Sequence, residues 1–370
     1  MAAVLAQTAV VRFNYLGNGT ALFRHGMEFP PPPSLFEQHR LFIFPPGYGY
    51  DGQFYHLMAH DPLARGDAPA HMDDPRLRYR RILVPLVAWV IALGRPALID
   101  AVYDIVLLAA VSAGVWALGA LARGRGKSAA WGAAFALVPA TAISLDRMTP
   151  DVALVALTVA MAWAVEEKRR GLPVLLVLLA PLVRETGWLL LIAYALSLAF
   201  QRCWRRAGLV VLAGLPALAW YAYVDLRLPS HPYPLLAIPL SGLWSAAAHP
   251  PEAAGPQALA APLMRAAGLL ALAGMLLAFA WAAVLARRHP ASPLALTAVL
   301  FALTGVFLQR ADHWQAAHDY ARVYSPLLAV LLLDGLVRAS PWPLLPLLCV
   351  WPRLALEMRG EVLVVLRGIF

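Results

Sequence analysis

One short block, residues 47–55 (GYGYDGQFY), holds the residue types best suited to chemistry. Glycines let the backbone bend where a substrate approaches, and aromatic rings stack on sugars or anchor at a membrane interface. Asp51 can accept the proton of an attacking hydroxyl, so we expect a general base on a loop, where substitution leaves folding unaffected. Tyr50, Gln53 and Tyr55 are predicted substrate contacts. The alternative is a turn in which Asp51 only caps the helix that begins at Gln53.

Two charges, Arg184 and Glu185, separate the apolar residues 172–183 from the apolar residues 186–200. Charged side chains at or near membrane depth are costly, which makes them candidates for binding or catalysis. We therefore expect both residues to contact substrate. The alternative is an ordinary outer turn in which the two charges neutralise each other.

A third polar region is residues 309–322 (QRADHWQAAHDYAR). If this region is helical, His318, Asp319 and Arg322 share a face, and such a group can hold a phosphate and position a carboxylate. The predicted substrate contacts here are Arg310, His313, Asp319 and Arg322, and the alternative is a solvated loop. The spacing of its histidines and aspartates matches no standard metal site, so the residues themselves predict no metal and no cofactor.

Two further outer segments carry weaker signals. Thr149 and Asp151 fit the N-cap and the first turn of the following helix, which leaves Asp146 as the acid that faces a site. Residues 225–261 are rich in proline and histidine, and they read as a lid that includes Asp225 and His231.

The composition decides what kind of protein positions these residues. Of 370 residues, 61% are hydrophobic and only 14% are charged, against about 25% charged in soluble domains. This excludes an ordinary soluble enzyme, a disordered chain and a coiled coil, and it predicts an all-α, polytopic membrane protein. The net charge of +9 does not indicate nucleic acid, because the basic residues lie in short runs between apolar stretches.

Apolar runs near the length of a spanning helix predict about ten membrane spans. These runs are residues 98–121, 129–145, 152–165, 172–183, 186–200, 207–224, 262–286, 291–308, 323–337 and 342–358. We expect two regions: an N-terminal extracytoplasmic loop over residues 1–97 and a transmembrane helical domain over residues 98–370.

The distribution of basic residues predicts the orientation. Twelve cations lie in alternate loops, around residues 123–127, 168–170, 202–206, 287–288 and 338, and five lie in the intervening loops. By the positive-inside rule the first group faces the cytoplasm, which places the three polar regions outside. Residues 82–93 form an apolar run of about 18 Å as a helix, too short to cross, so we expect them to lie in the outer interface.

Three segments in order, GYGYDGQFYHLMAHDP, RYRRILVPLVAWVIALG and RETGWLLL, resemble bacterial GT-C-type integral membrane glycosyltransferases. The resemblance is narrower to relatives assigned to cell-surface glycopolymer formation. It covers residues 44–225 clearly and the C-terminal half by layout. Family members usually begin with a span before the first outer loop, whereas only MAAVLAQTAVV precedes Arg12 here, so we expect that span to be missing.

The resemblance implies a function. A GT-C-like bundle in the bacterial cytoplasmic membrane would move a sugar, with inversion, from a polyprenyl-phosphate-linked donor to a glycan or lipid acceptor on the extracytoplasmic face. Asp51 matches the family carboxylate, and Arg184, Arg310 and Arg322 are the implied phosphate ligands. Many members carry paired acids in the first loop, whereas the next acid after Asp51 is ten residues on, which leaves a divalent metal open. The implied partners are the donor, the acceptor and membrane lipid, without nucleic acid.

Three other functions remain open at this point. One is a lipid-linked glycan transporter or flippase, which would carry charges at the midplane of broken helices. The second is a glycopolymer polymerase or ligase that uses similar lipids. The third is a structural subunit of an envelope complex.

Overall fold

A computed structural model describes residues 1–35, 40–45, 49–229, 238–249, 261–307 and 311–369. Within these ranges the chain is helical apart from two strands of two residues, His25–Gly26 and Ile43–Phe44, which pair in parallel. The α-helices up to residue 166 are Ala2–Tyr15, Gly52–His60, Pro75–Tyr79, Leu83–Ile91, Pro96–Gly124, Pro139–Arg147 and Asp151–Glu166. They are followed by Leu172–Val183, Gly187–Phe200, Trp204–Leu212, Leu215–Arg227, Ser241–Ala248, Ala261–Arg288, Pro293–Phe307, Ala311–Gln315, Ala317–Val323, Ser325–Arg338, Leu345–Glu357 and Arg359–Ile369. Short 3-10 helices occupy Gly19–Phe23, Ala68–His71, Ala129–Leu137 and Trp342–Leu344.

Three helical segments are long and apolar enough to cross a membrane: Pro96–Gly124, Trp204–Arg227 and Ala261–Arg288. Two further pairs of helices pass the same test only together. Ala129–Leu137 with Pro139–Arg147 is bent by 62°, and Ala317–Val323 with Ser325–Arg338 by 63°. The described residues therefore give a membrane-type helical protein with three clear spans, or up to five.

The ten predicted spans are not confirmed. Leu172–Val183, Gly187–Phe200 and Pro293–Phe307 are apolar but have 12, 14 and 15 residues, fewer than the about 17–25 that a span needs. Asp151–Glu166 has 16 residues, most of them buried within the protein. An apolar run is equally suited to a helix surrounded by other helices, so hydropathy alone does not establish a span.

The N-terminal region is built mainly of short helices, where the sequence predicted an outer loop. Leu22, Phe54 and Tyr79 are buried in the same apolar cluster as Ile99 and residues further along the Pro96–Gly124 helix. Leu83–Ile91, the predicted interfacial helix, has nine residues, about 13 Å at 1.5 Å per residue and too short to cross. Residues 1–97 thus share a core with the first long helix.

A second apolar cluster lies in the C-terminal half. It joins Leu172–Val183, Gly187–Phe200, Ala261–Arg288 and Pro293–Phe307, and it includes the buried aromatic residue Trp314. Ala153, Ala160 and Trp163 of the Asp151–Glu166 helix pack against both clusters. This helix therefore holds the two halves together, and its N-terminal residue, Asp151, lies at the candidate site.

Candidate active site

Asp51 lies between two arginine side chains that come from distant parts of the sequence. Its carboxylate accepts from Arg78 Nη1 at 2.9 Å and from Arg322 Nη2. It directly precedes the Gly52–His60 helix, but its side chain makes no capping hydrogen bond. The capping interpretation is therefore not supported, and Asp51 is not a free loop residue, because its carboxylate is committed to buried ion pairs.

The start of the Gly52–His60 helix lies against two other segments. A Cβ atom added at Gly52 would meet the Arg147 carbonyl oxygen at 2.2 Å and the Phe23 carbonyl oxygen at 2.8 Å. Only glycine allows the backbone to approach so closely. Gly52 thereby fixes the position of Asp51 beside the end of the Pro139–Arg147 helix.

Arg78 is held by the short Pro75–Tyr79 helix. Asp74 caps this helix by accepting from the Leu77 backbone N–H at 3.1 Å. Arg78 donates to both carboxylate oxygens of Asp73, at 2.8 and 2.6 Å, and lies over the Phe54 ring. This two-point contact leaves its remaining nitrogen, Nη1, directed at Asp51.

Arg322 reaches Asp51 from the other side. It lies in the Ala317–Val323 helix, directly before the 63° bend. Besides Asp51, its guanidinium has Asp151 at 3.5 Å and Asp319 at 3.8 Å. The local contact with Asp319 is the longest of the three, and Arg322 connects Asp51 with Asp151.

Arg184 and Glu185 each pair with a distant residue as well as with each other. Arg184 donates to Asp151, and the Arg184–Glu185 contact is longer, at 3.6 Å. Glu185 accepts from Arg81 at both oxygens, at 2.7 and 2.8 Å. The turn that carries them is tight, since a Cβ atom at Gly187 would meet the Ala180 carbonyl oxygen at 2.0 Å. They are therefore not simply an outer turn that neutralises itself.

These contacts join seven side chains into one connected group, which we call the charged cluster. Its members are Asp51, Arg78, Arg81, Asp151, Arg184, Glu185 and Arg322. Four guanidinium groups face three carboxylates, and Asp73 and Asp319 lie at the edge. Most of these side chains are buried, and charges are buried in proteins only when they are paired or bind a ligand.

A cavity of about 200 Å³ opens beside the charged cluster. Its charged wall consists of three carboxylates and one guanidinium, those of Glu28, Asp51, Asp73 and Arg78, and Tyr50, Phe29 and Phe54 supply aromatic edges. Gly49 lines it as well, so the backbone lies close to the space. The cavity thus offers a ligand a carboxylate, a guanidinium and aromatic surface together.

The electrostatics decide the charge state of the acids. Burial raises the pKa of Asp51, but Arg322 and Arg78 outweigh burial and hold it well below its ordinary value. Burial likewise raises the pKa of Glu185, but Arg81 and Arg184 outweigh burial and lower the pKa to about 2. Both carboxylates are ionised at neutral pH, and Asp51 is a weak base for as long as both arginines hold it.

The aromatic residues predicted as substrate contacts are engaged with the protein. The guanidinium groups of Arg322 and Arg147 each lie 4.7 Å from the centroid of the Tyr50 ring, and the Tyr50 hydroxyl donates to Asp319 at 2.8 Å. Tyr55 is fully buried, and its hydroxyl accepts from Arg81 at 2.9 Å. Tyr55 is therefore a support for the charged cluster, and Tyr50 presents only part of its ring to the cavity.

The other predicted site residues have separate positions. Gln53 lines the cavity and accepts from the Gly26 backbone N–H at 3.0 Å. Asp146 pairs with Arg24 at 3.1 Å, so it belongs to a neighbouring ion pair and not to the charged cluster. His313 is half-buried, and the loss of solvent around its ring lowers its pKa to about 4, which leaves it neutral at pH 7. Arg310 and His231 lie outside the described residues.

Sequence reasoning missed three members of the charged cluster: Arg78, Arg81 and Asp151. From the sequence, the two arginines were assigned no role, and Asp151 was assigned to the first turn of the following helix. One signal could have identified the arginines, because a basic run on the predicted outer side opposes the positive-inside rule. Comparison with protein-family profiles, with curated proteins and with solved structures found no match.

Proposed function

We propose that the protein is a membrane glycosyltransferase that moves a sugar from a polyprenyl-phosphate-linked donor to an acceptor hydroxyl on the extracytoplasmic face. The observation that carries the proposal is the position of Asp51, between two buried arginines and at the wall of a polar cavity. The resemblance of the segments around Asp51 and Arg184 to GT-C enzymes supports the same reaction.

The arginines have capacity left for an anion. The Nε atoms of Arg184 and Arg322 are buried, and neither has a hydrogen-bond partner among the described residues. A buried donor without a partner is costly, by about 1–3 kcal/mol. A phosphate oxygen is a strong acceptor for a guanidinium group, so donor binding would satisfy these atoms.

The reaction follows from these positions. The acceptor oxygen attacks the anomeric carbon of the sugar, the bond from that carbon to the phosphate oxygen breaks, and the acceptor proton passes to Asp51. Arg184 and Arg322 stabilise the charge that develops on the leaving phosphate. Because the phosphate brings negative charge to Arg322, donor binding would also offset part of the positive charge that makes Asp51 a weak base.

Binding of a polyprenyl phosphate to protein in nanodiscs tests the anion site. A bidentate arginine contact is lost with lysine, which offers only a point charge. We expect Arg184→Lys and Arg322→Lys to weaken binding about tenfold or more, since a charged hydrogen bond contributes about 1.5–3 kcal/mol. Arg95→Lys, at an exposed position outside the charged cluster, serves as the control and should bind like the parent. If both cluster variants bind polyprenyl phosphate as tightly as the parent, the anion site is refuted.

Transfer itself is measured by the release of polyprenyl phosphate from a panel of polyprenyl-phosphate sugars. This readout does not require the acceptor product to be identified, only an acceptor to be present. Release should depend on the acceptor and should fall in Asp51→Asn. Release that is equal in the parent and in Asp51→Asn would refute Asp51 as the base.

A lipid-linked glycan transporter is the second candidate, because two of the spanning segments are bent helix pairs. Arg322 lies directly before one bend, and transporter sites are commonly built at breaks in helices. Proteoliposomes that contain a labelled polyprenyl-linked glycan separate the two functions. Movement of the label between leaflets without release of polyprenyl phosphate would favour the transporter.

A further inference from the structure

Two histidines and an aspartate meet beside the Gly52–His60 helix, and none of them belongs to the charged cluster. His56 and His60 are four residues apart, so they share a face of that helix. Their Nε2 atoms lie 2.8 and 3.1 Å from the same oxygen of Asp100, which belongs to the Pro96–Gly124 helix. All three ligand atoms lie within 4.8 Å of one another.

This arrangement fits the geometry of a divalent metal site. Zinc bonds to nitrogen and oxygen are about 2.0–2.2 Å long, so two ligand atoms of a tetrahedral site lie about 3.3 Å apart. The histidine–aspartate distances of 2.8 and 3.1 Å need to widen by only a few tenths of an ångström. The part of the chain that the structure describes thus supplies two imidazoles and one carboxylate, the number of protein ligands found in zinc sites that bind water.

A third histidine, His25, contacts the ring nitrogen of His56 that does not face Asp100. His25 is fully buried, and its Nε2 atom lies 2.7 Å from Nδ1 of His56. A metal-binding histidine usually engages its other ring nitrogen in such a hydrogen bond, which fixes the orientation of the ring. The side chains of His60 and Asp100 are 12% and 26% exposed, so an ion and a water molecule can reach the site.

We propose that His56, His60 and Asp100 form a binding site for a divalent cation, with Zn²⁺ as the ion that this ligand set favours. The ion joins the Gly52–His60 helix to the Pro96–Gly124 helix. Asp51 directly precedes the first of these helices, so the ion holds the charged cluster in place without contacting it. The proposal does not depend on the proposed reaction, because metal binding is measured without a sugar donor.

The test measures zinc in detergent-purified protein without a histidine tag, after equilibration with Zn²⁺ and removal of free ion. We expect about one zinc per chain in the parent and a loss of that zinc in His60→Gln and Asp100→Asn. His249→Gln is the matched control, since His249 is exposed and its one hydrogen-bond partner in the described part of the chain is the Ser245 carbonyl. Zinc should also raise the melting temperature of the parent and of this control, because the ion binds only the folded state.

X-ray absorption on the zinc-loaded parent keeps the proposal testable if a variant fails to fold. We expect a shell of nitrogen and oxygen at about 2.0–2.1 Å with the signature of two imidazoles. A sulfur shell, from Cys203 or Cys349, would overturn the proposal. So would a folded parent that takes up no more zinc than folded His60→Gln.

Discussion

Asp51→Asn separates the structural role of Asp51 from its role in the reaction. The variant keeps the shape of the side chain and one oxygen acceptor, but it removes the negative charge between Arg78 and Arg322. Those two guanidinium groups are only 9% and 5% exposed, and Asp51 itself is 16% exposed. The substitution therefore leaves buried positive charge with less compensation, and it should lower stability as well as turnover.

The expected loss in the free energy of unfolding depends on which carboxylate contacts Arg78 and Arg322 retain in the variant. Removing one partner of a buried ion pair costs about 3–5 kcal/mol. Arg78 retains both contacts with Asp73, and Arg322 retains Asp151 at 3.5 Å. We therefore expect a smaller loss of about 2–3 kcal/mol in the free energy of unfolding. At about 2–4 °C per kcal/mol for 150–250 residues, and less for longer chains, the melting temperature should fall by about 3–8 °C.

Tryptophan fluorescence during heating measures the stability of each variant in the same detergent. The matched control is Asp73→Asn, which also removes a carboxylate from Arg78 but at a side chain that is 31% exposed. Its loss of stability should be smaller than that of Asp51→Asn, because solvent partly screens the charge that is left unpaired at a half-exposed carboxylate. At a temperature where both variants are folded, turnover of Asp51→Asn should be about 10²–10⁴-fold below the parent, the usual effect of losing a general base.

Two results would refute this reasoning. Equal melting temperatures for Asp51→Asn and Asp73→Asn would mean that the Asp51 ion pairs do not stabilise the fold. A large loss of stability with unchanged turnover in the remaining folded protein would mean that Asp51 is a structural residue alone.

The other two predictions concern close approach and acid stability. Gly52→Ala should destabilise the folded protein by about 1–3 kcal/mol or more, because its Cβ atom would meet two backbone oxygens. The control is Gly208→Ala, where nothing lies within 4 Å of the added Cβ atom. Equal melting temperatures for the two variants would contradict the prediction. The pKa of Glu185 is lowered from 4.5 to about 2 in the folded protein, so its contribution to stability is present above pH 4.5 and is lost as the pH falls towards 2. Glu185→Gln should therefore lower the melting temperature at neutral pH, and the melting temperature of this variant should decrease less than that of the parent between about pH 5 and pH 3. An equal decrease in parent and variant would contradict this prediction.

The site residues that could be predicted were those with no ordinary local role, such as capping a helix, to account for them. Asp51 stands in an unusual block of glycines and aromatics, and Arg184, Glu185 and Arg322 are charges at the ends of apolar runs. The structure brings these four residues into one connected group. Asp151 was missed because a helix-capping role already accounted for it, whereas its carboxylate pairs with Arg184 and Arg322.

Pairings across long sequence distances could not be predicted from one sequence. Asp51 and Arg322 are 271 residues apart, and no local pattern reports such a contact. The His56–His60 spacing was visible, but Asp100, 40 residues after His60, is what makes the pair a candidate metal site. The ten predicted spans are unconfirmed for a different reason: hydropathy measures how apolar a segment is, and it does not distinguish lipid from neighbouring helices as the surroundings.

The ion pairs of Asp51 imply an order of binding for the proposed reaction. Without a donor, Arg78 and Arg322 keep Asp51 ionised and weakly basic, so an acceptor that enters first meets no effective base. A donor phosphate bound at Arg184 and Arg322 would bring negative charge close to Arg322 and offset part of its effect on Asp51, which would raise the pKa of that carboxyl towards the range of a useful base. The charged cluster therefore couples base strength to donor binding. A donor-first order would also protect the donor, because Asp51 gains strength only when the phosphate and its sugar already fill the site and exclude water.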